Sequence, residues 1–170
     1  RTQMQNAALR QAGNDQSLGF IYSLAVREAS FNDSFSSPDM LDAQLSVTPR
    51  TWFNYRATKQ ASEPNHGGDS GGRSVWGTWA APAAGNVTFD TYGSDFYTSM
   101  AVYTGSSLGS LTNVASDTSG GKGNGLASVT FNAVAGQTYR IAVDGLLGQY
   151  GKIILNTLFV ATGGPAPTSV

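Results

Sequence analysis

Two stretches of the chain alternate strictly between apolar and wet side chains. Val87, Phe89 and Thr91 alternate with Asn86, Thr88 and Asp90, and Tyr139, Ile141 and Val143 alternate with Thr138, Arg140 and Ala142. A period of two places successive side chains on opposite faces of a strand, so each stretch can bury one face and wet the other. A helix cannot sort these residues in that way. Further short segments bounded by Gly, Pro, Asn, Asp and Ser read as strands: Leu45 to Thr48, Ser74 to Ala80, Ser99 to Tyr103, Ser128 to Asn132 and Lys152 to Phe159. Roughly seven or eight short strands without crossover helices predict an all-β fold, a two-sheet antiparallel sandwich of jelly-roll type.

Composition limits what such a sandwich can do. The 170 residues include 21 Gly but only ten Lys or Arg and eleven Asp or Glu, for a formal net charge of -1. No basic stripe is available to track phosphates, so nucleic acid is a poor partner. With no cysteine and one histidine, thiolate chemistry, disulfide scaffolds and the usual zinc sites are excluded. No apolar run reaches the roughly 18 to 20 residues that a membrane span requires. Beginning at Arg1 and lacking a charged-apolar-small leader, the chain reads as an excised or processed part of something longer.

Three regions differ in texture. Residues 1–30 form an Ala- and Gln-rich extension, with Met4, Ala8, Leu9 and Ala12 at helical spacing and a second apolar cluster at Phe20, Ile21, Leu24 and Val26. Thr2 to Ala12 is read as a short helix and Leu18 to Val26 as a helix or strand, either packed on the domain or docked on a neighbouring subunit. Residues 31–160 carry the strand pattern. Residues 161–170, ending GGPAPTSV, have linker composition.

Several strand-region motifs occur together and in order: Asn32-Asp33-Ser34-Phe35, Ala57-Thr58-Lys59, Glu63-Pro64-Asn65-His66, Ser74-Val75-Trp76-Gly77-Thr78-Trp79-Ala80-Ala81-Pro82 and Val87-Thr88-Phe89-Asp90-Thr91-Tyr92-Gly93-Ser94-Asp95-Phe96. Ala101-Val102-Tyr103-Thr104-Gly105, Gly136-Gln137-Thr138-Tyr139 and Ala142-Val143-Asp144-Gly145 continue the series. From about Phe31 to Phe159 the chain resembles the bacterial pre-peptidase C-terminal-like domain. That resemblance implies a β-sandwich in secreted or cell-surface bacterial proteins, an accessory to enzymes or adhesins rather than an enzyme. It further implies that some relatives bind collagen or polysaccharide and that some bind calcium. The chain departs from the family pattern at Trp76-Gly77, at Tyr97 and at Asp117-Thr118; the last two positions lack acids that the family carries.

Candidate sites follow from residue chemistry. Glu28, Asn32 and Asp33 cluster ahead of the first strand, and the resemblance implies that this edge supplies oxygen ligands to calcium. Asp95, Asp117 and Asp144 are further loop acids, with turn capping as the alternative role. Trp52, Trp76, Tyr92 and Tyr97 are the candidate ligand-binding aromatics, because exposed rings stack on sugars or seat a protein partner. Trp76 and Trp79 lie three apart and face opposite ways on one strand, with Trp79 assigned to the core. Gly67-Gly68-Asp69-Ser70-Gly71-Gly72 contains the Gly-Asp-Ser-Gly-Gly run of chymotrypsin-like proteases, but that fold sets its histidine about 140 residues ahead of the serine, whereas His66 lies four residues from Ser70 in the same loop. No catalytic residue is assigned. The expected function is that of an extracellular module binding polysaccharide or matrix protein, or anchoring to a surface. The alternative is a subunit of an extracellular filament, with copies of itself as partners and the extension making inter-subunit contacts.

Overall fold

The computed structural model describes residues 32–45, 48–118 and 124–162. The extension assigned to residues 1–30, Glu28 within it and the tail from residue 163 lie outside the described residues. Nine strands form two sheets: β1 (Asp39–Met40), β2 (Arg50–Phe53), β3 (Val75–Ala80), β4 (Gly85–Asp90), β5 (Thr98–Thr104), β6 (Thr112–Asp117), β7 (Ser128–Ala133), β8 (Thr138–Gly145) and β9 (Lys152–Ala161). One sheet has the order β1-β3-β8-β5-β6 and the other β2-β9-β4-β7. All pairs are antiparallel except the two-residue β1 against β3. The chain passes back and forth between the sheets, as expected of a jelly-roll-like sandwich.

The two alternating stretches become β4 and β8, in the centre of their sheets. In β4, Val87 and Phe89 are buried, while Asn86 is exposed and Thr88 pairs its hydroxyl with Thr130 on the outer surface. With Trp52 and their inward partners Val129, Phe131, Ile153 and Leu155 of the same sheet, Val87 and Phe89 meet Val75, Trp79, Tyr139, Ile141, Val143, Met100 and Val102 of the other sheet in one continuous core. Gly77 sits between Val75 and Trp79 because the Trp52 indole fills the space above it. A Cβ there would approach the ring to 2.8 Å. Two indole N–H groups are satisfied at the margin of this core, Trp52 Nε1 by Asp39 Oδ2 at 2.8 Å and Trp79 Nε1 by the Ala43 carbonyl at 2.9 Å.

The three middle strands of the five-stranded sheet, β3, β8 and β5, are buried on both faces. A second cluster of Phe35, Trp76, Ala101, Tyr103 and Ala142 lies on its outer side, covered by residues 32–38 and 54–74. Ala142 pairs with Trp76 and Ala101 with Ala142 in the sheet register, and these two small side chains on one side of Trp76 leave the seat that the indole occupies. Phe35 meets Trp76 edge-on, with ring centroids 5.1 Å apart.

Three sequence expectations need correction. Leu45, where a strand is expected to begin, is buried with φ 48 and closes a turn in which its N–H donates to the Asp42 carbonyl, and β2 starts only at Arg50. Edge strands β2 and β6 escaped the pattern search. β6 is exposed along most of its length, so it has no apolar face to betray it. The tail begins later than residue 161, since Ala161 is in β9 and Thr162 N donates to the Ala84 carbonyl.

Candidate functional site: a tyrosine-bearing end of the sandwich

At one end of the sandwich β2, β4 and β8 finish while β3, β5 and β9 begin, so the loops between them converge. Polar side chains staple these loops, two of them, Asp144 and Asn54, fully buried. Asp144, 1% exposed, accepts from the backbone N–H groups of Gly72 at 2.8 Å, Arg73 at 2.9 Å and Gly145 at 2.7 Å. Asn54 accepts from Gly151 N at 2.8 Å and donates to the Arg73 carbonyl at 3.1 Å. Asp69 Oδ1 accepts from Gly71 N and Leu147 N, and Asp95 Oδ1 from Lys152 N. Gly71 has φ +50, and a Cβ there would come 1.8 Å from Asp144 Oδ2, so only glycine lets the loop close on this carboxylate.

Aromatic side chains stand on this frame. Phe53 and Tyr55 stack at 6.1 Å between centroids, and Tyr150 meets Tyr55 edge-on at 5.7 Å. The Arg73 guanidinium lies 4.5 Å over the Tyr150 ring, and it also donates to the Tyr55 carbonyl. Tyr150 is 53% exposed and Tyr97 54%. Tyr97 is tied to the same Leu146–Gly148 turn, its carbonyl accepting from Leu146 N at 2.8 Å and its N–H donating to Gln149 Oε1 at 3.0 Å.

Of the four aromatics picked from sequence, Tyr97 is on this surface and Tyr92 is half-buried beside it, its N–H held by Asp90. Trp52 and Trp76 are both 0% exposed. They are corrected to core residues: the opposed facing of Trp76 and Trp79 holds, but the loops fold over the face on which Trp76 stands. Phe53, Tyr55, Arg73 and Tyr150 were missed. Their signal was weak but present, in aromatic residues next to turn-forming Asn54 and Gly151 at strand ends.

The loop acids cap backbone. Asp95 and Asp144 do so as described, and Asp117 Oδ2 accepts from Ser128 N at 2.9 Å. Among the described residues no group of three or more His, Cys, Asp or Glu could hold a metal. Asn32 donates to the Trp76 carbonyl at 3.0 Å and leaves its own amide oxygen buried without a partner. Asp33 Oδ1 accepts from Thr58 N at 2.7 Å, while Oδ2 accepts from the Thr58 hydroxyl at 3.3 Å. These two oxygens fit calcium, which takes six to eight. The rest would have to come from water and from beyond the described residues, where Glu28 lies.

The Gly-Asp-Ser-Gly-Gly loop holds no catalytic pair. His66 is 1% exposed, and both ring nitrogens are occupied: Nε2 by Glu63 Oε1 at 2.8 Å and Nδ1 by the Tyr103 hydroxyl at 2.9 Å. Ser70 is exposed, with its carbonyl accepting from Lys59 Nζ. Burial, followed by the nearby Glu63 charge and opposed by a hydrogen bond with Asn113, pushes the Tyr103 hydroxyl up to about 12. The phenol therefore stays protonated at neutral pH, held against His66 Nδ1.

Compared with protein-family models, curated proteins and solved structures, the chain matches none. The resemblance to the pre-peptidase C-terminal-like domain is carried by the ordered motifs alone.

Proposed function

We propose that this chain is a non-catalytic, secreted or cell-surface module that binds polysaccharide or matrix protein through its tyrosine-bearing end. The observation that carries the reading is the continuous Phe53-Tyr55-Tyr150 group, capped by Arg73 and set on loops stapled by Asp144, Asn54 and Asp69. Rings held in place before binding lose little side-chain freedom when a ligand stacks on them. Arg73 supplies a cation and donors at the rim. The test is retention of the full chain on insoluble glycans and on collagen, and failure to be retained by any of them counts against the reading. Calcium at the Asn32 and Asp33 edge is a subsidiary proposal, supported by the orphaned Asn32 oxygen.

A second reading, a subunit of an extracellular filament or surface layer, is favoured by a different observation. Leu158 and Val160, 60% and 56% exposed, stand on the outer face of the four-stranded sheet, a surface that a neighbouring copy could cover. Sedimentation that stays monomeric at high concentration, with or without residues 1–30, counts against assembly.

A further inference from the structure

Towards the other end of β5, about 20 Å along the strand from the tyrosine loops, an open pocket of about 370 Å³ is lined by Phe35, Ser36, Gln60, Ser106, Ser107, Leu108 and Arg140. Arg140 is its one charged residue. The guanidinium lies 4.9 Å over the Phe35 ring, and its Nε is buried with no hydrogen-bond partner. Neighbours in the sheet register are engaged elsewhere: Thr78 donates to the Tyr139 carbonyl, and the Tyr103 hydroxyl is hydrogen-bonded to His66 Nδ1. Glu63, the nearest acid in the covering loop, is spent on His66 and on Gln60 N.

The rest of the lining presents donors. Gln60 Oε1 is already taken by Phe35 N at 2.7 Å, which leaves the amide hydrogens of Gln60 for a ligand. The Ser36 and Ser107 hydroxyls are shared with Ser34 and Ser110, and Ser106 is exposed. A half-buried guanidinium that lines the pocket with no counter-ion among the described residues calls for a planar anion that can accept two parallel hydrogen bonds from its terminal nitrogens, which is the geometry of a carboxylate. Serine hydroxyls next to the apolar surfaces of Phe35 and Leu108 suit a ring with hydroxyls and a C–H face. A peptide terminus would need acceptors for its own N–H groups, and the pocket has no acid and no free side-chain carbonyl to provide them. We propose that this pocket is a binding site for the carboxylate of a uronic-acid unit in an acidic polysaccharide, separate from the tyrosine-bearing end.

The test is affinity electrophoresis of the full chain through gels containing polygalacturonate, neutral galactan or dextran sulfate, with a peptide bearing a free C-terminal carboxylate as a soluble competitor. Retardation by polygalacturonate alone is expected. Arg140→Gln should weaken it at least tenfold and Arg140→Lys by less, while Asn86→Ala, exposed on the outer face of the four-stranded sheet, leaves it unchanged. Ser106→Trp, which blocks the pocket from an exposed loop position, should reproduce the loss without touching the sheet. Equal retardation by dextran sulfate, competition by the peptide at the concentration of the uronate, or undiminished binding by both Arg140→Gln and Ser106→Trp would overturn the proposal. Loss with Tyr150→Ala alone would overturn it too, while leaving the tyrosine-end reading intact.

Discussion

The Tyr103 hydroxyl and His66 Nδ1 lie 2.9 Å apart inside the covered face of the five-stranded sheet, joining β5 to a loop 37 residues earlier in the chain. Glu63 completes the row on the far side of the imidazole. Because the phenol is held at about 12 against an ordinary value of 10.0, folded chains keep a proton that unfolded chains release. The associated stability is full below pH 10 and is lost as the pH rises from 10 to 12, by on the order of 2 kcal/mol. Urea unfolding across that range should show this alkaline loss in the wild type, and a smaller loss in Tyr103→Phe. At pH 7 the same variant should be about 1 to 3 kcal/mol less stable, since the buried Nδ1 loses its hydroxyl partner.

Asp144 is the second polar anchor. Asp144→Asn keeps the shape but turns an amide hydrogen towards one of the three backbone N–H groups that the carboxylate now accepts. A loss of about 3 kcal/mol is expected from denaturant midpoints. Gly71→Ala should act in the same direction, through both its positive φ and the clash with Asp144. Limited proteolysis should cut near residues 71–73 sooner in either variant.

All three tryptophans are buried, at 0%, 0% and 1% exposure for Trp52, Trp76 and Trp79. Fluorescence should therefore be blue-shifted relative to free indole and slow to quench with acrylamide. Trp76→Ala should cost about 3 to 5 kcal/mol, as for a large core residue. A red-shifted, readily quenched component that disappears in that variant would show Trp76 at the surface instead.

The contrast between β4 and Trp76 shows how far the fold was legible. Asn86 to Thr91 has one wet face and one dry one, so its alternation records both the strand and the core. Trp76 is dry for a reason that no local pattern holds: loops 32–38 and 54–74 return across its face, fixed by long-range bonds such as Asn32 to the Trp76 carbonyl and Asp33 to Thr58. Tyr150 was harder still. It belongs to a short loop without periodicity, and its role follows from meeting Tyr55 and Arg73, each far away in sequence.

Calcium should raise the melting temperature if Asn32 and Asp33 contribute to a site. An extracellular-type affinity near 0.1 mM gives roughly 1.4 kcal/mol in 1 mM calcium, or a few degrees for a chain of this size. Scanning calorimetry in chelator and in millimolar calcium checks this, with Asn32→Asp and Asp33→Asn as the comparison. Identical melting in both buffers would remove calcium from the account.

Binding by the tyrosine-bearing end is tested most directly by comparing the wild type with a Tyr55→Ala, Tyr150→Ala double variant. Retention on whichever glycan or collagen matrix holds the wild type is measured, together with unfolding midpoints. The expected result is at least a tenfold loss of retention, from two ring contacts worth about 0.5 to 1.5 kcal/mol each beyond their buried area, with most of the stability kept. Undiminished retention by a folded double variant would contradict the claim that these rings are the binding surface.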